Sequence, residues 1–298
     1  MYNPMDKPEP AWRFKTELLK EDGQTRVGRS PRTKIRLDPA SGYVALKAVE
    51  IFPETTSGQL LNALRRYAIY SPDTATLRGL DSDPQSREPL GLNGGRLAEA
   101  FEEVFFRQEM DLDDRRELLS SLMELIGWSR GLGTTGQSSV PISKSVPQPA
   151  RILRFRDKYM AEGRDYLSGY DASEGALYVL FMMSLLHHTQ TPPVLAVDNF
   201  DHALNPRLAR ALTRKVCEWI LSSGRQQVLL TSHNPTVLDG LPLNDDRVRL
   251  FTVQRTVKGK TVVTRVNVDA DLVQKAEQGV PLSQQWVMGS FGGVPRNL

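Results

Sequence analysis

Three short stretches carry residues whose types could act on a phosphate: YDASEGALYVL around Ser173, VLAVDNFDHALNP from Val194, and LLTSHNPTVLDGL around His233. Asp198 closes an apolar run, where a buried strand offers a fixed carboxylate to a divalent ion whose other ligands are water and phosphate oxygens. Ser173, Glu174 and Gly175 open another apolar run, so a hydroxyl and unhindered backbone N–H groups stand at a helix start, which favours an anion. His233 follows a third run, where an imidazole can sense or polarise a terminal phosphate. Singly, each has an ordinary reading: Asp198 as a helix cap, Ser173 as a capping serine, His233 as a packed or surface residue. Their order and spacing, about 25 residues from Ser173 to Asp198 and about 35 on to His233, favour one joint site. Hydrolysis there needs a base, and the residue after Asp198 is Asn199, which cannot take a proton as a carboxylate does. Asp201, two residues further on, is the rival candidate.

The elements that would position these groups are legible nearby. The patterns predict a helix from Glu174 to His187, a buried strand VLAVD, a helix from Asn205 to Leu221 with Leu208, Leu212, Val216 and Trp219 as its core stripe, and a strand QQVLLTS. Strand, crossover helix and strand form a parallel α/β unit, which binds ligands at strand C-terminal ends. A hairpin of RVRLFTVQR and TVVTRVNV around KGK follows, then a weakly periodic tail. Upstream, PRTKIRL and VALKAVEIF (44–52) read as strands, and Leu60, Leu61, Leu64 and Tyr67 as a helix ending before YSPD. A helix entered near Asn93 or Gly94 carries Leu97, Phe101, Val104 and Phe105. A second, about Asp113 to Trp128, carries Leu118, Leu119, Leu122, Leu125 and Ile126. The expected organisation is N-terminal strands over 1–56, a helical arm over 57–130, a Gly/Ser/Pro-rich flexible linker or loop over 131–150, and a C-terminal lobe over 151–298 in which RILRFRDKYM is a strand.

At 298 residues, 40% hydrophobic and 24% charged, the chain can bury one large core or two modest ones, which excludes fibrous and wholly disordered classes. The formal charge of +3, from 38 basic and 35 acidic residues, says little about nucleic acid because clustering matters more than totals. Arg29, Arg32, Lys34 and Arg36 form one basic cluster and Arg151, Arg154 and Arg156 another; each reads as solvated surface or as phosphate contacts. Cys217 alone cannot form an internal disulfide; its run VCEWIL predicts a buried helix thiol, and the usage fits a reducing compartment. No apolar run reaches the roughly 18 residues of a membrane span, and MYNPMDKPEPAWRFK lacks a signal-peptide core. A cytoplasmic protein with no membrane partner is expected.

Taken together, the three stretches resemble the ATP-binding-cassette-type, AAA-like ATPases of the RecF and SMC branch, found in chromosome maintenance, bacterial anti-phage defence and overcoming-lysogenisation-type proteins. YDASEGALYVL resembles the family's signature helix, VLAVDNFDHALNP its Walker B strand and D-loop, and TSHNP its switch histidine; YSPDTATLRGL with GLNGGRLAEAFEEVF is similar to its inserted arm. The resemblance covers about residues 35 to 255 and implies an α/β fold, an ABC-type P-loop NTPase sheet with an inserted helical arm, using ATP and Mg2+. It implies that Ser173 and Gly175 reach a partner's γ-phosphate, that Glu174 and Asn205 also belong to the nucleotide-binding set, that Asp198 organises the metal, that Ala203, Leu204, Asn205 and Pro206 cross the dimer, and that His233 is the switch. Asn199 stands where the family has its catalytic Glu, and Ala172 where the signature usually has Leu. The phosphate loop GxxxxGK[ST] is not found: VKGKTV has the wrong context, and LNGGRL lacks the lysine and hydroxyl. The expectation is therefore the second part of an ATPase, a slow hydrolase that sandwiches nucleotide with a second copy or a partner ATPase chain, with DNA or an effector protein as further partner. The alternatives are a non-hydrolysing clamp that binds ATP or DNA, and an inactive truncated remnant.

Overall fold

The computed structural model describes residues 16–29, 53–136, 149–267 and 270–290. The strands expected within PRTKIRL and VALKAVEIF, with Arg32, Lys34 and Arg36, lie outside them. Two compact units are present, residues 1–67 with 192–194 and residues 68–191 with 195–298.

In the first unit, strands β1 (Glu17–Glu21) and β2 (Gln24–Arg29) form an antiparallel hairpin. Asp22 and Gly23 both have positive φ, +49° and +78°, the conformation a two-residue hairpin turn requires and the one that Asp-Gly sequences favour. Helix α1 (Thr56–Arg66) starts at Thr55, whose hydroxyl accepts from Gly58 N, and Glu21 accepts from both the N–H and the hydroxyl of Ser57.

The second unit is a mixed α/β fold around a parallel sheet. Strands β3 (Ala68–Tyr70), β7 (Val194–Val197) and β8 (Gln227–Leu230) lie side by side in the order β3-β7-β8. β3 and β7 are parallel, Ala68 facing Leu195 and Tyr70 facing Val197. The residues that follow β7 and β8, Asp198 and Thr231, bond each other, so these strands also run the same way. Short helix α2 (Thr74–Leu77) follows β3; helix α3 (Leu97–Glu102) runs into a π-helical turn (Glu103–Arg107); and α4 (Leu112–Ile126) completes the inserted helices. The Leu97, Phe101, Val104 and Phe105 face and Leu118, Leu122 and Ile126 are buried as their spacing predicts.

Helix α5 (Glu174–His187) is the centre of the core: every residue from Ala176 to Leu186 is buried, the mark of a helix surrounded on all sides. Phe181 meets the Tyr70 ring edge-on at 6.1 Å. Helix α6 (Pro206–Ser223) buries Ala209, Leu212, Thr213, Val216 and Cys217, with Leu208 and Trp219 half-buried. Burial pushes the Cys217 thiol up to about 11.

A second, antiparallel sheet joins β4 (Ser129–Gly136), β5 (Arg151–Asp157) and β6 (Tyr166–Ser168). Residues 131–136, expected as the start of a flexible linker, are thus paired strand, because β5 supplies partners for a Gly/Thr-rich segment that has no apolar pattern of its own. Residues 137–148 lie outside the described set. The expected hairpin is present as β9 (Phe251–Arg255) and β10 (Thr261–Arg265), and the tail contains α7 (Ala270–Glu277) and α8 (Leu282–Val287). Among the described residues no helix is long and apolar enough to cross a membrane.

Candidate nucleotide site

The apolar run Leu195–Val197 is buried between two strands, which fixes the position of Asp198 at the tip of β7. Asp198 N donates to Tyr70 O at 2.8 Å, extending the ladder by one residue, and the chain then turns. Asn199 takes φ +51°, a left-handed conformation that Asn tolerates better than most residues. Buried Phe200 anchors the turn, its N–H donating to Thr231 O at 2.9 Å.

One hydroxyl joins the two strand ends. Thr231 Oγ1 donates to Asp198 Oδ1 at 2.5 Å and accepts from Asn199 N at 2.9 Å, while Thr231 N donates to Val197 O at 3.1 Å. Thr231 is not among the residues expected from the sequence; its signal there is a hydroxyl directly after β8 and two residues before His233. Beyond it, Ser232 and Asn234 close a polar turn, and Asn234 caps a short 3-10 helix (Pro235–Gly240) through Thr236 N and Oγ1. His233 is exposed and its ring forms no hydrogen bond among the described residues, whereas its N–H donates to Asp201 Oδ1 at 3.3 Å. Asp198, Asn199, Asp201 and His233 are therefore brought together at the C-terminal end of the sheet.

The loop that follows is held by its own turns: His202 N donates to Asn199 O, Leu204 N to Asp201 O, and Asn205 Oδ1 caps α6 by accepting from Leu208 N at 3.0 Å. Asn205, expected at a nucleotide-facing position, has its side-chain oxygen in this cap. Ala203 has φ +60°, a conformation an L-residue holds only at some cost. The His202 ring lies 5.7 Å from that of Tyr178 on α5, and Tyr178 Oη donates to Pro72 O at 2.6 Å. Desolvation pushes the Tyr178 phenol up to about 12, so it remains a donor at any physiological pH.

The start of α5 lies against the same loop. A Cβ on Gly175 would stand 2.8 Å from Leu208 Cδ2 and 3.7 Å from Ala203 O, so glycine permits this close approach. Ser173 occupies the N-cap position but its side chain does not cap, leaving an exposed hydroxyl beside Glu174 at the open end of a helix. No hydrogen bond among the described residues joins Ser173, Glu174 or Gly175 to Asp198 or His233. Two candidate half-sites thus lie against the loop Asn199–Asn205, one at the tips of β7 and β8 and one at the start of α5.

The donor set suits a magnesium–nucleotide more than a self-contained metal centre. Among the described residues no group of three or more His, Cys, Asp and Glu could hold an ion, whereas Mg2+ is commonly held by one or two carboxylates plus phosphates and water. Asp198 and the Thr231 hydroxyl are oxygen donors of that kind, and Asp198 Oδ2 accepts no hydrogen bond among the described residues.

The arginines considered as phosphate contacts are engaged within the protein. Arg29 is ion-paired with Glu17, Arg151 with Glu102 at 2.8 Å and Arg156 with Asp165 at 2.9 Å, and Arg154 lies 3.5 Å over the Tyr166 ring. Asp165 is fully buried, and Arg130 and Arg156 hold its carboxyl far below the usual range.

A family profile described as "AAA domain, putative AbiEii toxin, Type IV TA system" matches residues 60–239, more than half of the chain. The chain belongs to this AAA-domain family, and with it to the ATPase-like, nucleotide-binding class that the half-sites resemble. No curated protein matches the sequence. Among solved structures, it is similar to one titled "Structural biochemistry of ATP-driven dimerization and DNA stimulated activation of SMC ATPases", with 12% identity, a TM-score of 0.36, and 61% of this chain and 93% of that one covered. The SMC head domain from Thermotoga maritima is similar at 16% identity and TM-score 0.34, over 58% of this chain and 52% of that one. The Smc head domain bound to the C-terminal domain of ScpA, from Pyrococcus furiosus, is similar at 12% identity and TM-score 0.33, over 57% and 38%.

Proposed function

We propose that the chain contributes the metal-organising, signature and switch groups of a slow ATPase whose nucleotide is shared with a second lobe, that of a partner ATPase chain carrying the phosphate loop. The observation that carries this is the cluster of Asp198, Thr231, Asp201 and His233 at the end of β7 and β8, tied through one loop to the uncapped start of α5. The sequence holds no GxxxxGK[ST], so the phosphate cradle is assigned to the second lobe. When bound, Mg2+ would neutralise phosphate charge. Asp198 and Thr231 would hold it, Ser173 Oγ and the first N–H groups of α5 would bind phosphate oxygens, and His233 would sense them.

Asn199 cannot accept the proton of an attacking water, and Asp201 already bonds the His233 backbone, so the arrangement suits a nucleotide-dependent switch better than a fast motor. Asn199 also favours the alternative of a clamp that binds ATP without turning it over. Arg29, Arg151, Arg154 and Arg156 each have a contact within the protein that accounts for them without DNA, so no DNA role is assigned to them.

Sedimentation velocity of the chain, alone and with a phosphate-loop lobe supplied in trans, tests the proposal. ATP and Mg2+ should raise the mass, and Ser173→Arg or Asp198→Ala should abolish the increase. A mass unchanged by nucleotide in every combination would identify an inactive remnant instead.

A further inference from the structure

Both faces of the β9–β10 hairpin are largely exposed, and one of them has an apolar centre. In its antiparallel register Phe251 faces Arg265, Val253 faces Val263 and Arg255 faces Thr261, so these six side chains share a side. Phe251 is 50% exposed, Val253 63% and Val263 61%, while the opposite face turns Thr252 inward at 8%. From Phe251 to Asn267 the segment has four cations, Arg255, Lys258, Lys260 and Arg265, and no carboxylate. None of the four has a carboxylate partner among the described residues; Arg255 Nε donates to the Gly259 carbonyl. A two-stranded hairpin with aliphatic centre and cationic rim is marginal in water and gains most from a partner that covers it.

The complement is present elsewhere on the same chain, at the corner between the π-helical turn and α4. Phe106 is 63% exposed and Leu112 64% exposed, set among Glu109, Asp111, Asp113, Asp114 and Glu117. Arg107 pairs with Glu102 and Arg116 with Asp113, which leaves Glu109, Asp111, Asp114 and Glu117 without an ion-pair partner among the described residues. No hydrogen bond or ion pair among the described residues joins hairpin and corner within one chain.

We infer that the hairpin face docks on the Phe106–Glu117 corner of a second copy of this chain. Apolar centre would meet apolar centre and cationic rim would meet acidic rim, an arrangement that gives register as well as attraction. Phe251 is the one aromatic ring on this face, a smaller platform than the row of rings on which successive bases stack, which disfavours single-stranded nucleic acid as the occupant. The two patches differ, so the contact either forms twice in a closed twofold dimer, which is isologous, or repeats head-to-tail as a heterologous one. It requires neither nucleotide nor Ser173 and is therefore separable from the ATP-dependent association above.

Nucleotide-free sedimentation of the whole chain at 50 mM and 0.5 M salt reads this contact. Association should weaken by about tenfold or more across that range, as expected for charges brought from within to well beyond the screening length. Arg255→Glu with Arg265→Glu should leave a folded monomer, judged by circular dichroism, and Asp114→Arg with Glu117→Arg should do the same. Mixing the two double variants should restore association in trans, which a general effect on folding cannot do. A chain that is monomeric at both salt concentrations, or variants that associate like the parent, would overturn the inference. So would a monomer that binds vesicles of anionic lipid through the same arginines, since the occupant would then be a membrane surface.

Discussion

Thr231 Oγ1 stands 2.5 Å from Asp198 Oδ1 and 2.9 Å from Asn199 N, so one hydroxyl fixes the carboxylate and the turn that follows it. Thr231→Val keeps the shape and removes the donor and acceptor. The loss should be about 1–2 kcal/mol in urea unfolding, because the Asn199 N–H and Asp198 both lose a partner. Thr231→Ser should retain most of it. Equal stability of the Val and Ser variants would mean that water replaces the hydroxyl without cost.

The acids around the turn separate by kinetics in the protein completed with a phosphate-loop lobe. Asp198→Ala should abolish hydrolysis. Asp201→Asn should lower turnover by about two to four decades if Asp201 is the base. If it serves instead to hold the His233 loop, as its 3.3 Å contact with His233 N favours, assembly should weaken with turnover per dimer little changed.

Asn199→Glu supplies a base but must adopt φ +51°. Hydrolysis should rise while the fold loses about 1 kcal/mol, the cost of placing a longer L-residue in the left-handed region. A fall in both would show that the backbone cannot hold Glu there in a productive pose.

Ala203 offers a cleaner reading of the same strain at φ +60°. Ala203→Gly should stabilise the chain by up to about 1 kcal/mol, relief of backbone strain being partly offset by greater freedom of the unfolded chain. Ala203→Val should destabilise it. Denaturant midpoints for the pair give the sign directly.

Asp165 predicts a pH dependence. Arg130 and Arg156 depress its folded-state pKa, so its stabilising contribution is complete above the unfolded value of about 3.9 and is lost as pH falls through the lower folded value. Asp165→Asn should therefore lower the unfolding temperature at pH 7, and the gap to the parent should shrink only below about pH 4. A gap that closed already between pH 7 and 5 would point to a histidine instead.

How far the sequence showed these things depended on where the partners lie. The all-apolar run between Glu174 and His187 identifies α5 by itself, and the run ending at Asp198 identifies β7. The β1–β2 hairpin was missed because ELLKE and QTRVGR mix charge into both faces, leaving Asp22-Gly23 as the sole signal. β4 was missed because its glycines and threonines become a strand only when β5 pairs with them. The π-helical turn hides inside a helical pattern because it is a single five-residue turn whose buried Val104 and Phe105 stand three and four residues after Phe101, the spacing of an α-helix. Within the site, Asp198, Asn199, Asp201 and His233 were legible from strand ends. Thr231 and the carboxylates that engage the arginines were not, since each acts on a residue distant in the chain.

The uncapped Ser173 has a consequence for the inner workings of α5. From Ala176 to Leu186 this helix is encased in the core, so its amides should open only with the fold as a whole. Its first amides, those of Glu174 and Gly175, donate to no carbonyl and to no serine oxygen among the described residues. Two exchange regimes must then coexist on one rigid rod, deuterium entering the first turn early and the remainder late. A phosphate oxygen that met those amides would close the early regime, so the rod itself would register occupancy without moving.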